Sequence, residues 1–466
     1  MSGATPLIGL VAVTGLAGLL IVIFKVRCEY ILALHVFGRV VLDSVPKISY
    51  AQHFGGISPM QIYSVLWIVV FVGYLVYICR GRILLPKITL AVVLLIVSCA
   101  LASVINLNFG YFLDTSLKWF YLFSLVLFCI NTLRRSNVRK YCLLLLIAGI
   151  YPLLNQVLAA AVMGPKISHG IVNYIGTYYH EAGFSSLILL LIALSLALFS
   201  LFRSTAARGV LGVMLAVSYL SIAMAGYRTA LLAAVVLIVV YLFFQSQRSY
   251  YRLSLFAVAA ITACMALAWM AMAGHLDQFR DIARFLSDPG KYLDFSGGGG
   301  DREILTGRIY LLNRIMRAYL NADLFQKLAG LGPGIAQESI GVYAHNEFIS
   351  ALTEFGLIGL GVFIYFHVRM VHVCFMAMRR HRDLAHLSLS VIVAIVVLSI
   401  ATMPYHDMRA LLLLGIIYSI ADFQSRRGVR EEPAAAERRR TAVHVDAVPS
   451  PLRHGALAAA LDEQRS

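Results

Sequence analysis

The sequence predicts an all-α polytopic membrane protein of about 12–13 transmembrane helices with one large helical extracytoplasmic loop. Two observations carry that prediction. Of 466 residues, 60% are hydrophobic and only 13% charged, and the mean hydropathy is +0.81. That is too little charge to cover a soluble surface of this size. Apolar runs also recur along almost the whole chain, each near the roughly 20 residues a helix needs to cross the hydrocarbon core.

Spans are expected near 7–25, 28–46, 62–79, 83–105, 115–131, 141–163, 183–202, 209–225, 229–245, 254–273, 345–371, 386–403 and 407–423. The second is weak, because Arg39 and Asp43 interrupt it. The first has no cationic region before it and no small-residue cleavage site after it, so it is expected to persist in the mature protein.

The formal charge of +16 is distributed as short clusters between spans. Lys25–Arg27, Arg80–Lys87, Arg134–Lys140, Arg203–Arg208, Arg248–Arg252, Arg379–Arg382 and Arg426–Arg430 fall on alternate connections. Connections near 47–61, 106–114, 164–182, 226–228 and 403–409 are poor in Lys and Arg. This is the positive-inside pattern, which places the basic connections in the cytoplasm and argues against nucleic acid as a partner. The seven cysteines contain no CxxC pair and lie mostly inside spans, as Cys99, Cys129, Cys142 and Cys264 do. They imply neither a disulfide framework nor a metal site.

The expected organisation is a membrane domain over residues 1–423, interrupted by a large extracytoplasmic loop at 274–344 with the glycine run Gly297–Gly300. A tail at 424–466, rich in Arg, Glu, Ala and Pro, is expected to be disordered and cytoplasmic. No internal repeat is evident.

With the basic clusters assigned to topology, the polar residues at the opposite membrane edge need another account. Arg228, in Gly226-Tyr227-Arg228-Thr229, joins two spans with almost no loop. It lies on the wrong side for a positive-inside anchor, which leaves a snorkelling arginine or an anion-binding one. Residues Ile304–Leu320 read as an amphipathic helix. At about 100° per residue, Arg308 falls at the centre of its apolar stripe, with Leu311, Leu312, Ile315, Met316 and Tyr319. Asn313, Arg314, Arg317 and Asn321 fall on the opposite, solvated side. Arg308 is therefore half of a buried salt bridge or an anion ligand. His345 is expected to head a helix on the face of Ile349, Leu352, Gly356 and Gly359, with Glu347 and Glu354 turned away. It is either an interfacial helix-start residue or a proton acceptor near pKa 6.5. His180 and Arg409, at the ends of two further connections, are supporting candidates.

At these residues the chain resembles the Wzy-type polysaccharide polymerase and O-antigen ligase superfamily of bacterial membrane glycosyltransferases. The resemblance rests on an Arg between two central spans (Gly226–Leu231), a Thr-Gly-Arg helix start in the long loop (Thr306–Arg308), and Leu-Gly-Pro-Gly (Leu331–Gly334) followed by the run His345–Gly359. It covers motifs over about 220–360 and the topology of nearly the whole membrane region. It implies a metal-independent, inverting, cofactor-free glycosyltransferase in the bacterial inner membrane. The donor would be an undecaprenyl-diphosphate-linked glycan at the periplasmic face. The acceptor would be a lipid-linked repeat in a polymerase or lipid A-core in a ligase. A flippase and chain-length or export proteins would be partners. Carried over, His345 activates the acceptor hydroxyl, while Arg228 and Arg308 hold the diphosphate. Tyr227 departs from the small residues common at its position. A lipid-linked-glycan transporter is the rival class, and it would require inverted repeats, broken helices and mid-membrane charges.

Overall fold

The computed structural model describes residues 26–51, 58–79, 82–168, 171–244, 287–288, 290, 308–341, 343–379 and 382–426. The expected spans 7–25 and 254–273, most of the large loop and nearly all of the tail lie outside the described residues.

Within them the chain is helical. Eight helices are long and apolar enough to cross a membrane: Pro59–Tyr77, Gly110–Leu133, Val138–Val162, Glu181–Leu201, Thr205–Met224, Glu347–Met378, Leu384–Ala401 and Met408–Arg426. Two shorter apolar helices, Thr89–Ile105 and Arg228–Phe244, join them. We number the elements α1 (Cys28–Asp43), α2 (Pro46–Ser49), α3 (Pro59–Cys79), α4 (Thr89–Ile105), α5 (Gly110–Leu133), α6 (Val138–Gly149), α7 (Tyr151–Val162), α8 (Glu181–Leu201), α9 (Thr205–Met224) and α10 (Arg228–Phe244). Next come α11 (Arg308–Leu320), α12 (Leu324–Ala329), α13 (Ile335–Ile340), α14 (Glu347–Met378) and α15 (Arg382–Ala401), then α16 (Met408–Arg426). A small antiparallel hairpin, β1 (Lys166–Ser168) with β2 (Ile171–Asn173), decorates the connection between α7 and α8.

The helices that pack centrally are α8 and α16, each 89% buried, whereas α3 and α9, at 39%, turn most of their apolar surface outward. That outward surface is what lipid would cover. The six described cysteines are buried and free, as small apolar packing residues.

The helix ends sort into two sets. At one end the basic connections tie neighbouring helices together. The backbone N–H of Lys87 donates to Asp422 Oδ2 at 2.7 Å, Arg369 Nε donates to the Lys87 carbonyl at 3.1 Å, and Lys140 Nζ meets Glu29 Oε1 at 3.0 Å. The opposite end carries the candidate residues. The short helix α1 accommodates Arg39 and Asp43 because they are one helical turn apart. Arg39 Nε donates to Asp43 Oδ2 at 2.9 Å, and both side chains are buried.

One long helix departs from expectation. α14 breaks at Gly356, which adopts φ 68° and ψ −169°. The carbonyls just before the break, Thr353 and Glu354, accept instead from the N–H groups of Leu331 (2.8 Å) and Gly332 (3.1 Å). The turn-rich run Gly330-Leu331-Gly332 is thus the strap that satisfies the broken helix. The crossing is too close for side chains: a Cβ on Gly356 would lie 2.3 Å from the Leu328 carbonyl oxygen. Asn106, at the end of α4, fastens the strap by donating to the Gly330 carbonyl at 2.8 Å and accepting from Gln326 at 3.0 Å.

Candidate functional site

The candidate residues assemble at the end of the bundle away from the basic connections. His345 does not head α14 as the periodicity suggested. Asn346 is the N-cap, its side chain accepting from the N–H of Ile349 at 3.0 Å, and His345 stands one residue before it. His345 holds φ 52°, a left-handed conformation unusual for a residue with a side chain. Such strain persists only where the surroundings enforce it. Here they do. Asn346 Nδ2 donates to the carbonyl of Ile400, at the end of α15, at 2.8 Å. Ala344 packs with Ile315 of α11 and Ala336 of α13, against Ile349 and Met403.

α11 brings Arg308 to the same place. The expected stripe is largely correct: Ile315 and Tyr319 are buried, in line with half-buried Arg308, and Arg314 is exposed. Asn313 corrects it, being buried rather than solvated. The ion pairs and His–carboxylate contacts at this end are His406–Glu347, Arg409–Asp407, Arg409–Asp43, His180–Glu181, Arg39–Asp43 and Lys118–Asp114 among the described residues, and Arg308 belongs to none of them. Partial burial, then the positive charges of Arg308 and His180, lower the proton affinity of His345 below its ordinary 6.5.

Gly226, with φ 70°, ends α9 in a left-handed turn and hands the chain directly to Tyr227 and then Arg228, the first residue of α10. Burial pushes the Tyr227 hydroxyl up to about 12, while Arg308 and Thr402 draw it the other way. The Gly226-Tyr227-Arg228 turn thus sits by Thr402, at the end of α15.

His180 is the N-cap of α8, its Nδ1 accepting from the N–H of Ala182 at 3.1 Å. Nδ1 also lies 3.5 Å from Glu181 Oε2, a contact that would require a proton on the same nitrogen. The cap favours the neutral ring, as do burial and the charges of Arg409 and Lys166, which depress its proton affinity against the pull of Glu181.

Arg409 is held more firmly than the sequence implied. Its Nε meets Asp407 Oδ1 at 2.7 Å and its NH1 lies 3.8 Å from Asp43 Oδ1. The Tyr50 hydroxyl donates to the same Asp43 oxygen. The guanidinium lies flat against Gly183, where a Cβ would come within 1.9 Å of its Cζ. Two carboxylates satisfy Arg409, so it borders the site chiefly as a clamp joining α1, α8 and α16.

On the other side of the 343–347 segment lies a feature that sequence reasoning missed. Glu347 has no dyad partner in its own helix, as expected, but its Oε1 meets His406 Nδ1 at 3.1 Å, from the connection between α15 and α16. Burial disfavours charge on His406, yet the charge and hydrogen bond of Glu347 outweigh it and raise the imidazole above 6.5. His345 and His406 are thereby driven in opposite directions. Tyr405 beside it is fixed by a hydrogen bond to His367 Nε2 at 2.8 Å and by stacking on Trp119. Only a pairing across 59 residues makes the His406–Glu347 dyad, and no local spacing signals that.

Among the described residues, no three His, Cys, Asp or Glu side chains converge as metal ligands would. No family model matches the chain, and no curated protein matches it.

Proposed function

We propose that this chain is an inner-membrane glycosyltransferase that polymerises undecaprenyl-diphosphate-linked oligosaccharide repeats at the periplasmic face. The observation that carries the reading is the setting of His345. It is a histidine in an enforced left-handed turn, with its proton affinity lowered, beside an arginine that no described carboxylate pairs. A general base works best unprotonated and held in place, and a lowered proton affinity on an enforced backbone turn supports that role for His345.

The chemistry follows from those groups. An acceptor hydroxyl bound beside His345 gives its proton to the imidazole as its oxygen attacks the anomeric carbon of the donor. The bond from that carbon to the diphosphate oxygen breaks, and the electron pair leaves with the lipid diphosphate. Attack from the opposite face inverts the anomeric configuration. Arg308 and Arg228 offset the charge that grows on the leaving diphosphate, which is where positioned cations lower a barrier most. Holding both lipid-linked chains against one membrane surface supplies the proximity.

The test is purified protein in liposomes supplied with undecaprenyl-diphosphate repeat units, with and without His345→Ala. Longer glycans are expected from the wild type, and a loss of about 10²–10⁴-fold from the variant, the usual worth of a general base. Full activity in a folded variant would remove His345 from the mechanism. Transfer to lipid A-core in place of a lipid-linked repeat would make the chain a ligase.

The break in α14 favours a second reading, transport of the lipid-linked glycan, because discontinuous helices are common in transporters. Here the freed carbonyls are satisfied by the Gly330–Gly332 strap, which reduces their fitness to bind a cargo ion. Movement of substrate between leaflets without glycan elongation would establish transport instead.

A further inference from the structure

The large loop is expected to lie in water, yet one of its short helices carries an apolar face that water would not select. Leu320, at the end of α11, and Leu324, Phe325 and Leu328 of α12 are all exposed, Leu324 and Phe325 by 69% and 73%. Within α12 the three fall inside an arc of about 100°, while the Gln326 amide turns away to donate to Asn106 at 3.0 Å. Contiguous exposed apolar side chains of this size mark a surface that something covers.

The neighbouring helices give the height of that surface. The basic end of the bundle is marked where Arg369 of α14 meets the Lys87 carbonyl, just before α4. From there α4 rises 17 residues, about 26 Å, to Asn106, which holds both Gln326 of α12 and the strap. α14 covers the same gap between Arg369 and the break at Gly356, which packs on the Leu328 carbonyl. Those 369 − 356 = 13 steps are about 20 Å. The hydrocarbon core is ~30 Å thick, and any helix tilt lowers both heights further. α12 therefore lies at or below the far edge of the core, not above it.

Two further observations agree with that depth. Leu101, Val104 and Ile105 of α4 and Leu357 and Ile358 of α14 are exposed beside the same junction, so the face of α12 continues the outward apolar surface of the helices it rests on. The irregular backbone there is also satisfied internally, as hydrocarbon requires. The Gly330 N–H donates to the Gln326 carbonyl at 2.7 Å, those of Leu331 and Gly332 donate to α14, and the Gly330 carbonyl accepts from Asn106.

We propose that α12 is embedded in the leaflet at this end of the bundle, with its exposed face against lipid acyl chains. The proposal does not depend on the chemistry assigned to His345. It gives the bilayer a part in positioning the site, because the Tyr319 hydroxyl of α11 donates to the Lys327 carbonyl of α12 at 2.7 Å. The helix that begins at Arg308 is thereby tied to an element whose depth the lipid sets.

The experiment uses the purified full chain in phosphatidylcholine liposomes. A nitroxide is attached at Phe325→Cys, and the signal of identically treated wild type is subtracted for the native cysteines. Collisions with molecular oxygen, which concentrates in hydrocarbon, should exceed those with a water-soluble nickel chelate several-fold. The ratio should reverse at Arg314→Cys, on the exposed face of α11. In parallel, Phe325→Trp in liposomes of brominated phosphatidylcholine should lose much of its added fluorescence when the bromines sit high on the acyl chain. It should lose less when they sit near the chain end, because an interfacial helix buries its apolar face only ~5–10 Å deep. Nickel-dominated collisions at 325 without bromine quenching would put α12 in water and overturn the proposal. Shielding from oxygen and nickel alike, again without bromine quenching, would show that a second copy or another segment of the chain covers the face, which overturns it as well.

Discussion

The two sides of the Tyr343–Glu347 segment are built from similar residues and arrive at opposite electrostatics. On one side burial, and then the charge of Arg308, lowers the proton affinity of His345. On the other, His406 sits with Glu347, and the carboxylate holds its proton on. Environments that push two like groups apart are a mark of divided labour at an active site. The comparison teaches that one short stretch of backbone can hold two imidazoles in opposite electrostatic settings. That backbone is fixed by Asn346 to α15 and by Glu347 to the turn before α16.

The strongest way to break the comparison is at Arg308. Removing it with Arg308→Ala should reduce turnover by about 10²–10³-fold, as loss of one group aimed at developing charge does. Arg314→Ala, on the exposed face of the same helix, should change it by less than about twofold. Equal effects in a polymerisation assay would show that Arg308 is only one cation among several. Next in size is a stability effect. Asp43→Ala leaves Arg39 buried and weakens the hold on Arg409, so it should destabilise the fold by about 3–5 kcal/mol, read as a lower unfolding temperature in detergent. Smaller again is Gly183→Ala, whose methyl would collide with the Arg409 guanidinium. It should lower the unfolding temperature by less than Asp43→Ala does, the cost being the roughly 1–3 kcal/mol of overpacking a filled site.

Much of this was legible from the sequence for a physical reason. Span positions follow from hydropathy because lipid imposes one length on every crossing helix, and ten expected spans appear as apolar helices in the described residues. Arg308 was legible because it shares a stripe with Ile315 and Tyr319 in a single helix. What escaped was non-local or depended on backbone conformation. Periodicity put His345 on a helix face, whereas the Asn346 cap excludes it from the helix. The run Leu331–Gly334 read as a turn, but its work is to satisfy carbonyls in a different helix. Arg39 and Asp43 looked like an obstacle to a span because neither was paired in the reading; as an i,i+4 pair reinforced by Arg409 and Tyr50 they are a joint.

The smallest expected effect sharpens the comparison most, because it reads both histidines in one protein. His345 lies below 6.5, so the acid limb of kcat/KM should fall below that pH. Arg308→Gln removes a charge that opposes protonation and should move the limb to higher pH in whatever activity remains. His406 behaves oppositely. Its folded value is raised, so its ion pair with Glu347 contributes fully below pH 6.5 and is lost as pH rises through the folded value. Unfolding temperature should therefore decline over that window in the wild type and decline less in Glu347→Gln, with the acid limb of activity left in place. A single substitution that moved both limbs together would mean that the two histidines titrate as one coupled unit, and that the segment between them does not insulate His345 from the His406–Glu347 pair.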